Sequence, residues 1–156
     1  MKFYDKLKSP IGMISIEADK DAILSVLFKS SKEKLCPNQI TRMCKKQLEE
    51  YFDGHRQKFD LQIKIQGTSF QAQVWNALLE IPFGKTSTYG NQARMIKKPN
   101  AARAVGAANG QNKINIIIPC HRVVGVNGAL TGYRGGVERK KWLLEHESNN
   151  IKGSIK

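Results

Sequence analysis

The sequence predicts a small α/β unit followed by an all-helical unit of helix-turn-helix type. Near the N-terminus, short apolar runs alternate with turn compositions, and one stretch of helical spacing follows them. From Thr68 onward, the apolar residues recur mainly at helical spacing, with caps at the expected positions. We therefore expect an N-terminal α/β domain over residues 1–66 and a C-terminal domain over residues 67–156.

The N-terminal unit should consist of a three-stranded antiparallel meander and a helix, with one further strand. Its apolar runs, separated by Ser-Pro-Ile-Gly and Asp-Lys-Asp, cover residues 3–7, 13–18 and 23–28. The spacing over residues 40–52 predicts a helix with Cys44 on its buried face and Gly54 as the C′ glycine. Strict alternation over residues 59–65 predicts the further strand.

The C-terminal unit should contain four helices. Thr68 and Gln71 form a capping-box pattern, and Ser87 or Thr88 can cap a second helix that runs to about residue 96. Residues 101–108 form a third helix made almost wholly of small side chains, which favours either close helix packing or an approach to DNA. A terminal helix built on Val137, Lys141, Leu144 and the 142–143 pair should end near residue 147, followed by a frayed tail.

The charge of the chain favours a polyanionic partner. The 156 residues carry a net charge of +13 and 40% hydrophobic content, enough for an ordinary globular core. Residues 1–66 hold 13 Lys and Arg against 9 Asp and Glu, whereas residues 67–156 hold 13 against 4. Nucleic acid or an anionic membrane surface would both suit this excess, and the C-terminal domain is the candidate binding region.

The cysteine pattern indicates a reducing compartment. Three cysteines without paired spacing argue against a disulfide framework, and neither they nor the histidines show the clustered spacing of a zinc site. The N-terminus lacks the apolar core of a signal peptide, and no stretch approaches 18 apolar residues. We expect a cytoplasmic protein without a membrane segment, a metal or a cofactor.

A cysteine and a histidine stand side by side at the end of an apolar run. Residues 114–118 are nearly all isoleucine and predict a short buried strand, which Pro119 would terminate. Cys120 would then be an exposed thiol on stiff backbone, and His121 could accept its proton. The alternative is an inert core cysteine, because free cysteine is among the most buried residue types.

The residues around this pair carry a family resemblance. Pro-Cys-His-Arg-Val at residues 119–123 is preceded by Arg-Ala-Val-Gly at 103–106 and by Asn112, and it is followed by Gly-Tyr at 132–133 and Trp-Leu-Leu-Glu-His-Glu at 142–147. This pattern resembles the O6-alkylguanine-DNA alkyltransferase family over residues 68–147. The resemblance implies a ribonuclease-H-like α/β domain followed by an all-α, winged helix-turn-helix-like domain.

The resemblance also implies direct-reversal DNA repair by a monomer. Cys120 would take the alkyl group of O6-alkylguanine, with O4-alkylthymine as a second candidate substrate, from double-stranded DNA in a single irreversible turnover. His121 would accept the thiol proton through a water, and Glu147 would orient the imidazole. The damaged nucleotide would be flipped out of the duplex, because a thiol cannot reach an atom inside the base stack.

Further site residues follow from the same resemblance. Tyr89 would donate a hydrogen bond to guanine N3, and Arg103 would fill the stack after nucleotide flipping. Asn112 would act as a hinge beside the active-site segment. The pocket would be lined by Val123 and Tyr133, with Arg134 at its rim where some relatives have serine. The remaining DNA-binding positions implied are Ala102, Ala104 and Arg122.

Three other classes fit parts of the sequence. A damage sensor of the same fold would have tryptophan at the cysteine position, where this chain has Cys120. A winged-helix transcription regulator would fit the basic helical half but has no use for Pro-Cys-His-Arg. A cysteine hydrolase would use the Cys-His pair, yet it would turn over repeatedly on esters or peptides and gives no role to the basic surface.

Overall fold

The chain forms two compact units in a computed structural model that describes residues 1–151. The first unit comprises residues 1–65 and 113–117, and the second comprises residues 66–112 and 118–151. Residues 113–117 thus pack with the first unit, although they lie within the predicted C-terminal range of 67–156. Within residues 1–151, no helix has both the length and the apolar character needed to cross a membrane.

The first unit is built on an antiparallel sheet with one helix against it. Its strands, in spatial order, are β1 (Phe3–Ser9), β2 (Gly12–Ala18) and β3 (Ile23–Leu27). Alternate side chains such as Ile14 and Ile16 are fully buried on the face that packs against α1 (Gln39–Phe52). The predicted meander and helix are confirmed.

The end of α1 also agrees with the sequence. Gly54 has a φ of +82°, and the amide of His55 donates to the carbonyl of Glu50 at 2.9 Å. This left-handed ending favours glycine because a Cβ would clash there. Cys44 is completely buried on the inner face of the helix, as its spacing predicted.

The strand predicted over residues 59–65 does not form. Only Ile63 makes a bridge, in parallel to Ile23, through hydrogen bonds that join Ile23 to Gln62 and Lys64. The alternation of half-buried and exposed residues is present, so the segment is extended as expected. Periodicity reports which side chains face the core, and it does not show whether the backbone has a partner for a ladder.

The second unit contains four helices and a short parallel ladder. The helices are α2 (Ser69–Leu78), α3 (Tyr89–Met95), α4 (Ala102–Gly110) and α5 (Val137–Asn150). The ladder pairs β4 (Ser87–Thr88) with β5 (Val123–Val124), so the unit is not purely helical as predicted. Thr68 forms the predicted capping box with Gln71, and Thr88 rather than Ser87 caps α3.

The C-terminal helix is longer than predicted. The helix α5 continues to Asn150, so residues 148–150 are helical and not the start of a frayed tail. The last five residues of the predicted tail, 152–156, lie outside the described residues.

Buried amides hold the two helices of the helix-turn-helix together. Gln92 of α3 and Asn109 of α4 exchange two hydrogen bonds of 2.9 and 2.8 Å, and Trp75 donates to the carbonyl of Ala108 at 2.9 Å. Arg103 and Ala104 lie on the exposed face of α4, whereas Val105 is buried. The small side chains thus permit close packing on one side and leave a slim accessible surface on the other.

The turn that follows α3 places a lysine in the left-handed region. Lys97 has a φ of +61°, its amide donates to the carbonyl of Arg94, and the amide of Lys98 donates to Ala93. Because an L side chain is strained there, Lys97→Gly should raise the free energy of unfolding by up to about 1 kcal/mol. Urea unfolding would measure the change.

Lys98→Gly is the matched control for this prediction. It removes the same charge one residue later, where φ is not positive, and should lower the free energy of unfolding by about 0.5–1 kcal/mol. Equal destabilisation by both substitutions would contradict the strain that we assign to Lys97.

Candidate active site

The isoleucine-rich run before the thiol is a buried turn and not the predicted strand. Val26 and Ile114 form a single parallel bridge, and Ile116 then has a φ of +72°. The amide of Ile117 donates to the carbonyl of Asn115 at 2.8 Å, which closes a γ-turn around Ile116. A left-handed β-branched residue is rare and persists only where its surroundings fix it.

A second tight turn sets the position of the cysteine. Pro119 has φ −84° and ψ 63°, and the amide of Cys120 donates to the carbonyl of Ile118 at 2.8 Å. The side-chain amide of Asn112 donates to that same carbonyl at 2.8 Å and to the Cys120 sulfur at 3.2 Å. The backbone and the thiol are therefore held by one asparagine.

The Cys-His pair is buried, contrary to the exposed presentation that we predicted. Cys120 is 4% exposed and His121 is fully buried, in a 3-10 turn over Cys120–Arg122. The apolar residues on both sides enclose this polar pair because the two turns fold it inward. The sulfur is therefore almost inaccessible to solvent.

The carboxylate of Glu147 lies at the centre of the site and accepts four hydrogen bonds. His121 Nε2 lies 2.6 Å from Oε2. Arg122 contacts both oxygens, with Nε 2.8 Å from Oε1 and Nη2 3.0 Å from Oε2. The amide of Gly84 donates to Oε1 at 3.3 Å. The helix-end acid is thus brought to the histidine, as the resemblance implied.

Gly84 is a site residue that sequence reasoning missed. Its φ is +80°, and a Cβ at this position would lie 2.1 Å from Ile151 Cδ1. The turn can therefore bring its amide to Glu147 only with glycine. The Pro-Phe-Gly sequence predicted the turn, but no sequence signal links it to a residue 63 positions later.

Burial and the local charges set the resting protonation states. Burial raises the pKa of the Cys120 thiol to about 11, although the Asn112 hydrogen bond and the Lys140 ammonium act in the opposite direction. Burial also lowers the pKa of His121 below its ordinary value, against the pull of Glu147. At neutral pH, the resting site therefore holds a thiol and a neutral imidazole.

Glu147 remains ionised in this buried position. Burial by itself would raise the pKa of its carboxyl, but His121 and the Arg122 guanidinium hold that pKa well below its usual range. The four donors satisfy both oxygens, as a buried carboxylate requires.

Tyr89 and Lys140 meet at one backbone carbonyl. The Tyr89 hydroxyl donates to the carbonyl of Thr131 at 3.1 Å, and Lys140 Nζ donates to the same oxygen at 2.9 Å. The ammonium also lies 5.8 Å from the centroid of the Tyr89 ring. For the hydroxyl to donate to a substrate base, it must turn away from Thr131.

Lys140 is a second residue that we missed. It is 1% exposed, and burial lowers its pKa. Lys140, Leu143 and Glu147 form the buried stripe of α5, whereas Val137 and Lys141 of the predicted face are exposed. The spacing of Lys140 to Leu143 and Glu147 could have identified this stripe, but two ionisable residues in a buried row oppose the usual apolar pattern.

The other predicted pocket residues and the predicted DNA-binding residues of α4 occupy varied environments. Val123 is buried in β5, and the buried Tyr133 ring lies edge-on to His121 with centroids 6.4 Å apart. Arg134 is exposed, and Ala102 is half-buried on α4 beside the exposed Arg103 and Ala104.

The predicted DNA contact of Arg122 is wrong. Its side chain is only 7% exposed, and its guanidinium bonds Glu147 and the carbonyl of Ile81, with 2.7 Å from Nη1 to that carbonyl. The guanidinium also lies over the Phe83 ring at 5.8 Å. A sequence shows that an arginine is present, but it does not show that the arginine forms an ion pair with a buried carboxylate.

Comparisons with known proteins identify the family. The 6-O-methylguanine DNA methyltransferase ribonuclease-like domain matches residues 2–65, and the DNA binding domain of the same family matches residues 69–149. The chain therefore belongs to the 6-O-methylguanine DNA methyltransferase family. The predicted order of a ribonuclease-like α/β domain and a helical DNA-binding domain is confirmed.

Individual relatives match over nearly the whole chain. A methylated-DNA–protein-cysteine methyltransferase of Methanosarcina mazei is 45% identical over 96% of this chain and 99% of its own. The crystal structure of the Mycobacterium tuberculosis O6-methylguanine methyltransferase is 41% identical, with a TM-score of 0.88 over 97% of this chain and 95% of its own. A structure of the M. tuberculosis protein in complex with DNA has the same TM-score at 42% identity, over 95% of this chain and 94% of its own.

The buried ammonium of Lys140 should promote formation of the Cys120 thiolate. A buried cation is screened less than an exposed one, and Lys140 acts electrostatically on the sulfur. We expect Lys140→Met to slow alkylation of Cys120 by a free benzylated guanine base by about tenfold or more, on the scale of one pKa unit. The measurement is the rate of benzyl incorporation followed by mass spectrometry.

Lys141→Met provides the control on the same helix. It removes an equal charge from an exposed neighbour and should leave the rate within about twofold. Equal slowing by the two variants would show that overall charge, and not the buried ammonium, affects the thiol.

Proposed function

We propose that this protein is a methylated-DNA–protein-cysteine methyltransferase that repairs O6-alkylguanine in double-stranded DNA by transfer of the alkyl group to Cys120. The observation that carries the proposal is a buried Cys120 sulfur, held by Asn112 and followed directly by a His121–Glu147 pair. Both domains match the family that performs this chemistry. O4-alkylthymine is a second possible substrate of the same reaction.

Transfer is an in-line displacement at the alkyl carbon. The sulfur–carbon bond forms as the bond from carbon to guanine O6 breaks, and the electron pair of that bond remains with the guanine. The thiol proton passes to His121 Nδ1 through a water, because Nε2 is already engaged by Glu147. Nδ1 is buried and has no hydrogen-bond partner among residues 1–151.

The leaving guanine requires stabilisation as it gains negative charge. The Tyr89 hydroxyl donates to guanine N3 after it leaves the carbonyl of Thr131. Val123 and Tyr133 line the base pocket, the former through its backbone carbonyl, and the exposed Arg134 stands at the rim. A bulky cation there affects which alkyl groups and bases the pocket accepts.

The product is a thioether, which lacks a good leaving group at neutral pH. The alkyl group therefore stays on Cys120, and each molecule reacts once. The protein is consumed as a stoichiometric reagent, without a metal or a cofactor.

DNA binds along the exposed face of α4. The small side chains of Ala102 and Ala104 allow the helix to approach the duplex closely, and Arg103 can occupy the stack after the damaged nucleotide leaves. The related M. tuberculosis protein has been crystallised with DNA. Three cysteines without paired spacing suit the reducing conditions of the cytoplasm, where we place this protein as a monomer.

Intact mass after reaction tests the stoichiometry. With excess O6-methylguanine duplex, the protein should gain one methyl group, and peptide mapping should place it on Cys120. Cys44 should remain unmodified, because it is completely buried on the inner face of α1 and, unlike Cys120, is not followed by a histidine.

Cys120→Ala separates transfer from DNA binding. This variant should gain no methyl group but keep its DNA affinity within about threefold, since phosphate contacts supply most of that affinity. Methylation of Cys36 or Cys44, or repeated turnover by the wild type, would contradict the proposal.

Arg103→Ala tests the role of the arginine in extrusion. Removal of Arg103 should slow transfer from duplex DNA by about tenfold or more, on the scale of the few kcal/mol of unstacking, and leave reaction with the free benzylated base nearly unchanged. Arg103→Lys keeps the charge and should recover only part of the duplex rate, because an ammonium cannot stack as a guanidinium does. Equal loss on both substrates would exclude a stacking role.

A further inference from the structure

The buried guanidinium of Arg122 donates three hydrogen bonds within the site. Its Nε and Nη2 bind the two oxygens of Glu147, and Nη1 binds the carbonyl of Ile81 at 2.7 Å. The ring of Phe83 flanks the guanidinium, and the side chain is nearly inaccessible. These contacts fix the plane of the carboxylate that orients His121.

The charges of Arg122 and Glu147 also affect the protonation of His121. Glu147 carries one negative charge, and the fixed positive charge of Arg122 already balances it. His121 shares the same carboxylate at 2.6 Å, so proton uptake by the imidazole adds a second positive charge beside a single anion. The guanidinium therefore opposes protonation of His121, while Glu147 favours it.

We propose that Arg122 is a positioning residue that holds Glu147 in one orientation and keeps His121 neutral, so that the imidazole can accept the Cys120 proton. This inference rests on the proposed function and adds to it a role for an arginine that touches neither substrate nor the reacting atoms. Arg122 acts only through Glu147 and through its field at His121.

The other groups that face His121 determine the sign of the effect. Three charged groups act on the His121 ring, namely Glu147 and Lys140 of α5 and Arg122. The Tyr133 ring lies edge-on to it, and Cys120 precedes it in the chain. Arg122 and Lys140 oppose the imidazolium, and Glu147 favours it. Removal of one cation must therefore raise the pKa of His121, whereas removal of the carboxylate must lower it.

The test is the pH profile of the reaction with a free benzylated guanine base, which requires no DNA. Transfer needs a neutral His121, so the rate is lost as the pH falls through the pKa of that group. Arg122→Gln should move this acid limb upward by about one pH unit or more, and Glu147→Gln should move it downward. The double Gln variant should return the limb toward its wild-type position, because both charges are removed.

Arg122→Lys is the charge-preserving control. Its ammonium keeps the positive charge but cannot bind both carboxylate oxygens in the plane of a fork. The acid limb should remain within about 0.3 pH units of wild type, while the rate falls about threefold or more. If Arg122→Gln does not fold, Arg122→Lys still decides, because an upward shift of one unit with the charge intact overturns the proposal.

NMR titration separates this inference from the proposed function. In a Cys120→Ala background, the His121 ring should titrate about one pH unit higher when Arg122 is replaced by Gln. An unmoved His121 in a folded Arg122→Gln variant would overturn the role of Arg122. Absence of alkyl transfer to wild-type Cys120 would instead overturn the proposed function and leave this titration valid.

Discussion

The carboxylate of Glu147 is the interaction on which the site depends. It accepts hydrogen bonds from the turn at Gly84, from His121 and from Arg122, and it lies near the end of a helix that begins ten residues earlier. Burial of a carboxylate costs free energy unless hydrogen bonds satisfy its oxygens. Loss of any of these donors should therefore destabilise the site. Hydrogen bonds to the Glu147 carboxylate thus connect the turn at Gly84 and the segment at His121 and Arg122 to helix α5.

A second constraint is the route by which the backbone reaches the thiol. Two successive γ-turns, around Ile116 and Pro119, replace the strand that the isoleucine run predicted. The turns leave carbonyls that a ladder would have satisfied, and the side-chain amide of Asn112 bonds one of them together with the sulfur. Backbone with such tight turns holds Cys120 in a fixed position, which a flexible loop could not do.

Local patterns in the sequence predicted most of the fold. The meander, the helix after residue 39, the capping box at Thr68 and the cap at Thr88 each follow from residues close together in the chain. The errors arose where distant partners decide the outcome. The isolated bridge at Ile63, the buried environment of Arg122 and the buried stripe containing Lys140 all depend on contacts that periodicity does not report. Cys120 and His121 were recognised as a candidate pair because they are adjacent in the chain and the motif around them is specific.

Two cations of this strongly basic protein, Arg122 and Lys140, are buried at the site. Of the eleven Lys and Arg between residues 81 and 144, only Arg122 and Lys140 are buried. The charges of the exposed cations are screened over a Debye length of roughly 8 Å, whereas those of the buried pair are screened less. Of the two buried cations, Arg122 balances the charge of Glu147, and the positive charge of Lys140 favours the Cys120 thiolate. In the resting site, Arg122 balances the charge of the Glu147 carboxylate, and the Cys120 sulfur is protonated. Burial therefore disfavours the Cys120 thiolate in the resting site.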